Sequence, residues 1–323
     1  VCYVSSNKDD LGLYYKHPNL KSFNIGEGGC RDWFFKNIDT DVMVMTMPDL
    51  EQYHVKRSKY PVHYVYVQHS LVSLHMVYRK KAFDSFDTIF CAAPHHINEV
   101  RTMEKIYGLP PKSLVEHGYG RLDSILETSK GRKAQSKNNP KKILIAPSWG
   151  KHALIESIGD KVVSNLLENG FHVMLRPHPQ TVRFAKSKLD AICRQHELNS
   201  NFTCEVDISS QESLHQSDLM ISDWSGAALD YAFGLGKPVL FIDVPRKVNN
   251  QEYESINIEP FEVWIRAKIG RIHSVEALDS LSQAVSDLLS IDTRIDHKSL
   301  IEHNVFNPGT SSRVGVEYLM QII

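Results

Sequence analysis

Short apolar runs alternate with amphipathic stretches along the whole chain, and this alternation predicts an α/β fold with largely parallel sheets. The first half contains runs of strand length at Val1–Val4, Ser22–Ile25, Asp41–Thr46, His63–Val67 and Thr88–Cys91. The second half repeats them at Ile143–Ala146, Val173–Leu175, Phe202–Val206, Leu219–Ile221 and Val239–Ile242. Helical periodicity lies between these runs, at Arg31–Asn37, His95–Ile106, Ile155–Glu168, Thr181–His196, Ala227–Leu235 and Ser274–Leu289.

A polar, lysine-rich segment divides the two halves of this pattern. Residues 129–142 carry almost no apolar side chains, and a new strand pattern begins directly after them. Since 323 residues are enough for two domains of roughly 150 residues each, we predict an N-terminal domain over 1–128 and a second domain over 143–308. The last segment, 309–323, is predicted to be a C-terminal helix. A cleft between two such domains is a common place for a ligand to bind.

The composition argues against several classes of protein. The chain has 37 basic and 38 acidic residues, whereas a nucleic-acid-binding protein usually shows a basic excess, so no nucleic-acid partner is expected. Its five cysteines are dispersed without a CxxC motif, which favours a reducing, cytoplasmic setting over a disulfide framework. Neither a signal peptide nor an apolar run of roughly 18 residues is present, so no transmembrane helix is predicted. Because the chain begins directly on a strand pattern at Val1, we expect further residues upstream.

The segment Leu-Arg-Pro-His-Pro follows one of the predicted strands of the second half. It places Arg176 and His178 just beyond the carboxyl end of that strand, where open α/β sheets bind their ligands. Both side chains donate N–H groups that suit a phosphate, and the two prolines stiffen the loop. The alternative interpretation is an ordinary strand-end loop with a solvated arginine and a histidine that caps a helix.

A second motif, Ile-Ser-Asp-Trp-Ser-Gly-Ala-Ala, links the predicted strand Leu219–Ile221 to a helix. Its small residues Gly226 and Ala227 let an anion approach the backbone N–H groups and the positive end of the helix. Ser222 and Ser225 add hydroxyl donors, whereas Asp223 is expected to hold the turn or to bind a hydroxyl group. An ordinary helix N-cap is the competing interpretation. Together with the arginine–histidine loop, the motif predicts a diphosphate site that uses no metal.

Two further loops follow predicted strands. His69, in Gln-His-Ser after a strand of the first half, is placed where a neutral imidazole can accept a proton from an attacking hydroxyl. A hydrogen-bonded strand-end histidine is the simpler explanation, because most of the 16 histidines must be ordinary. Ser148, Trp149 and Gly150 follow the first strand of the second half, where a glycine turn can meet a nucleotide. Their sequence matches neither a GxGxxG motif nor a P-loop.

Glycines interrupt the chain near the expected hinge, in His-Gly-Tyr-Gly-Arg-Leu-Asp. Gly118 breaks the strand pattern there, and Arg121 and Asp123 are close enough in sequence to pair with each other. No metal site is predicted, because the chain lacks an acidic DxD pair at a strand end and an HExxH motif.

The order and spacing of four segments, Gln68–Ser70, His117–Asp123, Arg176–Pro179 and Ile221–Ser225, resemble the CDP-glycerol glycerophosphotransferase family, which includes teichoic acid primases and polymerases. The resemblance extends from about residue 62 to the end of the chain. It implies a GT-B fold, in which two Rossmann-like domains with parallel sheets face a central cleft and a C-terminal helix crosses back. It also implies that the second domain binds the CDP-activated donor and the first domain binds the acceptor.

The resemblance carries roles for individual residues. His69 matches the family's candidate base, although Ser70 replaces a glycine, and His178 matches a second functional histidine near the donor diphosphate. Ser222, Asp223 and Ser225 match a Ser/Thr-Asp-Tyr-Ser-Ser stretch in which Gly226 replaces the last serine. The remaining residues that we expect to contact substrate are Arg176, Ala227, Ser148, Trp149, Gly150, Gly118 and Arg121.

The resemblance implies transfer of glycerol phosphate, or of a related alditol phosphate, from a CDP-alditol donor to a hydroxyl group, with release of CMP. The expected acceptor is lipid-linked or a glycan of a teichoic-acid-like or capsule-like surface polymer. No cofactor is expected. Peripheral association with the inner face of the membrane is expected. Two alternatives remain open: a GT-B glycosyltransferase that uses a CMP- or UDP-sugar, and a non-catalytic nucleotide-binding subunit.

Overall fold

The computed structural model describes residues 1–132, 140–207, 210–290 and 297–323, so residues 133–139 of the predicted linker lie outside the described part. The strands are β1 (Cys2–Ser5), β2 (Lys21–Asn24), β3 (Val42–Met45), β4 (His63–Val67), β5 (Thr88–Cys91), β6 (Ser113–Glu116), β7 (Lys142–Ile145), β8 (His172–Leu175), β9 (Phe202–Cys204), β10 (Leu219–Ser222), β11 (Val239–Ile242) and β12 (Gly270–His273).

The helices are α1 (Gly29–Asn37), α2 (Leu74–Val77), α3 (Pro94–Tyr107), α4 (Gly120–Ser129), α5 (Leu154–Glu168), α6 (Pro179–Phe184), α7 (Lys186–His196), α8 (Glu212–Gln216), α9 (Gly226–Leu235), α10 (Phe261–Ile269), α11 (Leu281–Ser290), α12 (His297–Asn304) and α13 (Ser311–Ile322). Short 3₁₀ helices lie at Leu11–Tyr14, Tyr253–Ile256 and Val275–Ser280.

The strands of the first half form a parallel sheet in the order β3-β4-β5-β6, beside a separate two-stranded parallel sheet of β1 and β2. Three consecutive residues of β4, Tyr64, Val65 and Tyr66, are completely buried. A strand buried on both faces is typical of parallel sheets that are covered by helices on both sides. The carboxyl end of β4, which leads to His69, therefore emerges from a rigid core.

The second half forms a six-stranded parallel sheet in the order β12-β11-β10-β7-β8-β9. The strand order reverses between β7 and β10, which are direct neighbours, and this is the switch point at which open α/β sheets bind ligands. The apolar runs in β7, β10 and β11 are fully buried, as the uninterrupted hydrophobic pattern predicts. The loops after β7, β8, β10 and β11 share one edge of the sheet.

Most predicted strands are confirmed within one or two residues, but some elements differ from the pattern. The predicted helix Thr181–His196 is two helices, because Ala185 between α6 and α7 leaves helical geometry at φ −126° and ψ 29°. Two strands, β6 (Ser-Leu-Val-Glu) and β12 (Gly-Arg-Ile-His), were missed, since neither contains an apolar run of more than two residues.

One apolar core joins the two halves. Leu71, Tyr119 and Leu122 of the first half pack in the same buried cluster as Phe233 and Phe261 of the second. Helix α4 lies directly on α9, with the backbone of Gly234 pressed against Ile125 and Leu122. The two sheets are therefore held in a fixed relation by side chains buried between them.

Helix α13 packs against α4 of the first half. Both carboxylate oxygens of Asp123 accept hydrogen bonds from the start of this helix, 2.6 Å from Gly309 N and 2.9 Å from Ser311 N. Farther along, the Tyr318 hydroxyl lies 3.0 Å from Thr88 Oγ1 on β5. The end of the chain is thus attached to the first-half sheet.

Candidate functional site

The loops of the two halves meet at the amino end of α9. A Cβ atom added to Gly226 would lie only 2.4 Å from Ser70 Oγ, so a larger residue at this position would require the Ser70 side chain to move. The loop after β4, with His69 and Ser70, therefore lies against the turn that opens α9. The candidate base is therefore next in the chain to a residue that lies against the candidate anion site.

His69 is held by three tyrosines. Its Nδ1 lies 2.9 Å from the Tyr66 hydroxyl and its Nε2 lies 3.3 Å from the Tyr78 hydroxyl, while Tyr119 donates a hydrogen bond to the His69 carbonyl at 3.0 Å. Desolvation lowers the pKa of His69, although the nearby Thr46 carbonyl opposes this effect. The imidazole is thus neutral at pH 7, as a general base must be.

His178 forms the N-cap of α6. Its Nδ1 accepts a hydrogen bond from the Gln180 backbone N–H at 3.1 Å, so the ring hydrogen of the neutral form sits on Nε2. Burial, with a smaller effect of the positive charge of Lys247, lowers the pKa of His178 to about 4. The ring stacks on Trp149 with centroids 6.0 Å apart. His178 is therefore a fixed neutral donor in the absence of substrate.

Lys247 was missed by the sequence analysis. It follows β11 in the segment Pro-Arg-Lys, and its Nζ lies 4.3 Å from the centre of the Trp149 ring. Burial lowers its pKa to about 8, while Asp223 and Glu156 oppose this effect. No hydrogen bond or ion pair engages Lys247 within the described part of the chain. Its position shortly after a strand of the second sheet was a signal that the sequence did contain, because the other candidate residues were identified by the same criterion.

Ser222 and Asp223 stabilise the backbone of the site from the protein interior. The Ser222 hydroxyl donates to the Ala146 carbonyl at 2.8 Å, and the Asp223 carboxylate accepts from Ser148 N at 2.6 Å and from Leu154 N at 3.0 Å. Both side chains are buried. They join the end of β10 to the loop after β7, and so Asp223 holds the turn, one of the two roles expected for it.

Ser225 is the N-cap of α9. Its hydroxyl oxygen accepts a hydrogen bond from Ala227 N at 3.2 Å, which is the interaction that the ordinary N-cap interpretation predicts. Ser225, Gly226 and Ala227 are nevertheless half-exposed, like Trp149 and Gly150 in the neighbouring loop. These five residues form a solvent-accessible surface at the switch point of the sheet.

Arg176 is buried and bound within the second half. Its guanidinium donates to Ser213 Oγ at 2.7 Å and lies 3.5 Å from Glu205 Oε2. The loop that carries it is therefore fixed by contacts to α8, and the side chain is already engaged without a ligand.

The expected pairing of Arg121 with Asp123 is wrong. Arg121 Nε instead donates to Asp230 Oδ2 of α9 at 2.6 Å, across the boundary between the halves. Asp123 faces the other way, toward the start of α13. Residues two apart on a helix point in different directions, so their closeness in sequence did not bring them together.

Gly118 has a packing role. Its φ is +103°, and an added Cβ would lie 2.5 Å from the Phe306 carbonyl oxygen. We expect Gly118→Ala to lower the free energy of unfolding by about 1–3 kcal/mol or more, because it combines backbone strain with a backbone clash. Gly108→Ala is the matched control, since Gly108 has a φ of +63° and open space around it. Urea unfolding of both variants measures the difference, and equal losses would contradict the packing role.

In the described part of the chain, no helix combines the length and the apolarity needed to cross a bilayer. The same residues contain no group of three or more His, Cys, Asp or Glu side chains that could hold a metal ion.

Comparison with known proteins identifies relatives of this chain. The sequence model of the family described as CDP-Glycerol:Poly(glycerophosphate) glycerophosphotransferase matches residues 74–256, more than half of the chain. No curated protein matches at the sequence level. The structure is similar to the wall teichoic acid polymerase TagF soaked with CDPG, with a TM-score of 0.58 and 15% identity over 99% of this chain and 80% of that one.

The structure is also similar to UDP-GlcNAc 2-epimerase of Methanocaldococcus jannaschii (TM-score 0.57, 14% identity, 96% of this chain and 86% of that one). A putative UDP-N-acetylglucosamine 2-epimerase from Listeria monocytogenes gives a TM-score of 0.58 at 12% identity, over 97% of this chain and 85% of that one. At these identities the likeness shows the fold alone. That fold is GT-B, as the family resemblance implies, with a parallel sheet in each half.

Proposed function

The chain belongs to the CDP-glycerol:poly(glycerophosphate) glycerophosphotransferase family, and we propose that it transfers glycerol phosphate from CDP-glycerol to a hydroxyl group of a growing surface polymer, with release of CMP. The contact between Ser70 and Gly226 is the observation that best supports this function. It brings the loop that carries the neutral His69 against the amino end of a helix, and such a helix end is a favourable place for a phosphate. A hydroxyl nucleophile, its base and the phosphorus atom then meet in one place.

In this reaction His69 takes the proton of the acceptor hydroxyl as the oxygen attacks the phosphorus atom of the glycerol phosphate group. The bond between that phosphorus and the oxygen of CMP breaks, and negative charge develops on the departing CMP. Lys247, the Nε2–H of His178 and the amino end of α9 supply positive charge and hydrogen-bond donors there. Because these groups already complement a diphosphate, we expect binding of the donor to persist in the presence of a chelator.

We further propose that the two halves bind different substrates. The switch-point loops of the second domain, 143–308, hold the CDP donor, and the first domain, 1–128, presents His69 to the acceptor. The family supports a glycerophosphate polymer as acceptor, such as a teichoic acid, and a lipid-linked acceptor would bring the enzyme to the inner face of the membrane.

Calorimetric titration of the purified protein tests this function, with chelator present and with CDP-glycerol, CDP-ribitol, CMP and UDP-sugars as ligands. We expect CDP-glycerol to bind, and His178→Ala to weaken its binding by about tenfold or more, the usual effect of losing a hydrogen bond to a charged group. His172→Ala is the control, because His172 begins β8 at the opposite end of the strand. Preference for a UDP- or CMP-sugar would overturn the assignment of the donor, and tight binding without turnover in any acceptor extract would indicate a non-catalytic subunit.

A further inference from the structure

The surroundings of the His69 ring are unusual for a catalytic histidine. Both ring nitrogens face phenolic hydroxyls, with Tyr66 on Nδ1 and Tyr78 on Nε2, and within the described residues neither nitrogen has a carboxylate partner. A carboxylate or a backbone carbonyl commonly fixes which nitrogen of a histidine carries the hydrogen. At His69 the groups that can do so are the two tyrosine hydroxyls, which lie on the two ring nitrogens, and the nearby Thr46 carbonyl.

Both tyrosines keep their hydroxyl hydrogens at neutral pH. Burial raises the pKa of Tyr66 and of Tyr78 well above its usual value. The interaction between the two hydroxyl groups adds to this effect at Tyr66 and opposes it at Tyr78. A neutral phenol donates one hydrogen bond and also accepts one. Each tyrosine can therefore act as donor or acceptor toward His69. Which ring nitrogen carries the hydrogen then depends on where each tyrosine lies relative to the substrate.

The two sides of the ring differ in their access to the cleft. Tyr66 lies inside β4 and is completely buried, so Nδ1 faces the protein interior. Tyr78 is only half-buried, and its hydrogen bond to Nε2 is exposed. A substrate hydroxyl can reach Nε2 and not Nδ1. For Nε2 to accept a proton, the hydrogen of the neutral ring must sit on Nδ1, where the Tyr66 oxygen accepts it.

We propose that Tyr66 is the positioning residue that holds His69 in the Nδ1–H form, and that the Tyr78 hydroxyl marks the place taken by the acceptor hydroxyl. This inference rests on the proposed role of His69 as the base. The acceptor O–H displaces Tyr78 from Nε2 and gives its proton to that nitrogen, while its oxygen forms the new bond to phosphorus and CMP leaves. The Nδ1–H of the resulting imidazolium continues to donate to the Tyr66 oxygen.

Tyrosine-to-phenylalanine variants test this arrangement, because each removes one oxygen atom and preserves the ring. We expect Tyr66→Phe to lower kcat by about 10- to 100-fold, the effect of removing a hydrogen bond to a charged group. We expect it to leave the affinity for CDP-glycerol unchanged. Tyr78→Phe should retain kcat and lower the KM for the acceptor, because it removes a competitor for Nε2. Tyr318→Phe is the control, since that hydroxyl bonds Thr88 at the amino end of β5, whereas His69 follows the carboxyl end of β4.

Nitrogen-15 NMR of the histidine ring provides a measurement that does not depend on activity. The ligand-free wild type should show His69 with its hydrogen on Nδ1 at neutral pH, and Tyr66→Phe should shift the population toward Nε2–H. An Nε2–H ring in the wild type, or an unchanged ring and unchanged kcat in Tyr66→Phe, would overturn the inference. Full activity in His69→Ala is a different result, because it removes the base from the proposed function itself.

Discussion

His69→Ala is expected to lower kcat by about 10²- to 10⁴-fold, the usual contribution of a general base. The affinity for CDP-glycerol should remain close to that of the wild type, because His69 lies on the first-half loop while the groups expected to hold the diphosphate belong to the second half. A loss confined to kcat would show that the residue acts on the reacting hydroxyl. The variant keeps the backbone of the loop, including the contact of Ser70 with the start of α9.

Release of CMP from CDP-glycerol in the presence of polymer acceptor measures kcat, and calorimetry measures the affinity for the donor. His172→Ala serves again as the matched control, since it removes an imidazole that lies far from the cleft edge of its sheet. Retention of the wild-type rate by His69→Ala would remove this residue from the mechanism. An equal loss of donor affinity and of rate would instead indicate that the loop supports the donor site.

Lys247→Met is expected to weaken binding of CDP-glycerol by about 10- to 100-fold, which corresponds to one hydrogen bond between charged groups. Methionine keeps the length of the side chain and its packing on Trp149 but removes the positive charge. Lys268→Met is the control, because Lys268 also lies over a tryptophan, 4.8 Å from the centre of the Trp264 ring, on helix α10. Wild-type donor affinity in Lys247→Met would exclude this lysine from the donor site.

The same lysine predicts how donor affinity changes with pH. Its pKa in the free protein is about 8, so the ammonium is present below that pH and is lost as the pH rises through it. Binding of a diphosphate favours the charged form, and affinity for CDP-glycerol should therefore fall above about pH 8. Calorimetry across this range should show the fall in the wild type and not in Lys247→Met. An equal fall in both would assign the pH dependence to another group.

The architecture and the general location of the site could be predicted from the sequence. Buried parallel strands leave long apolar runs, and their carboxyl ends share one edge, so residues that follow such runs gather in one place. This reasoning predicts that the loops with His69, Trp149, His178 and Ser225 lie at the carboxyl edges of the two sheets. It depends only on the direction of the strands, which the alternation of strands and helices determines.

The direction of individual side chains could not be predicted in the same way. Ser222 and Asp223 have residue types that suit a substrate, yet they point back into the protein and hold the backbone of the neighbouring loop. Arg121 finds its partner in Asp230, more than a hundred positions away in the chain. Such contacts depend on how two helices that are distant in sequence pack together, and local sequence patterns do not predict that packing.

The three tyrosines around His69 illustrate the same limit. Tyr66 and Tyr78 look like ordinary core residues in the sequence, because their rings fill apolar positions. Only the folded structure shows that their hydroxyl groups meet on one imidazole. Aromatic residues with a polar tip can serve packing and chemistry at once, and a hydrophobic pattern records only the first of these.

The apolar core shared by the two halves has a consequence for the energetics of the reaction. When two substrates must be brought together, part of the binding free energy is commonly used to freeze the relative motion of the parts that hold them. Here Leu122, Phe233 and their neighbours fix that motion when the chain folds. Under the proposed roles of the two halves, acceptor and donor enter a space whose walls are already fixed relative to each other, and the effective concentration of one substrate near the other becomes a property of the folded protein.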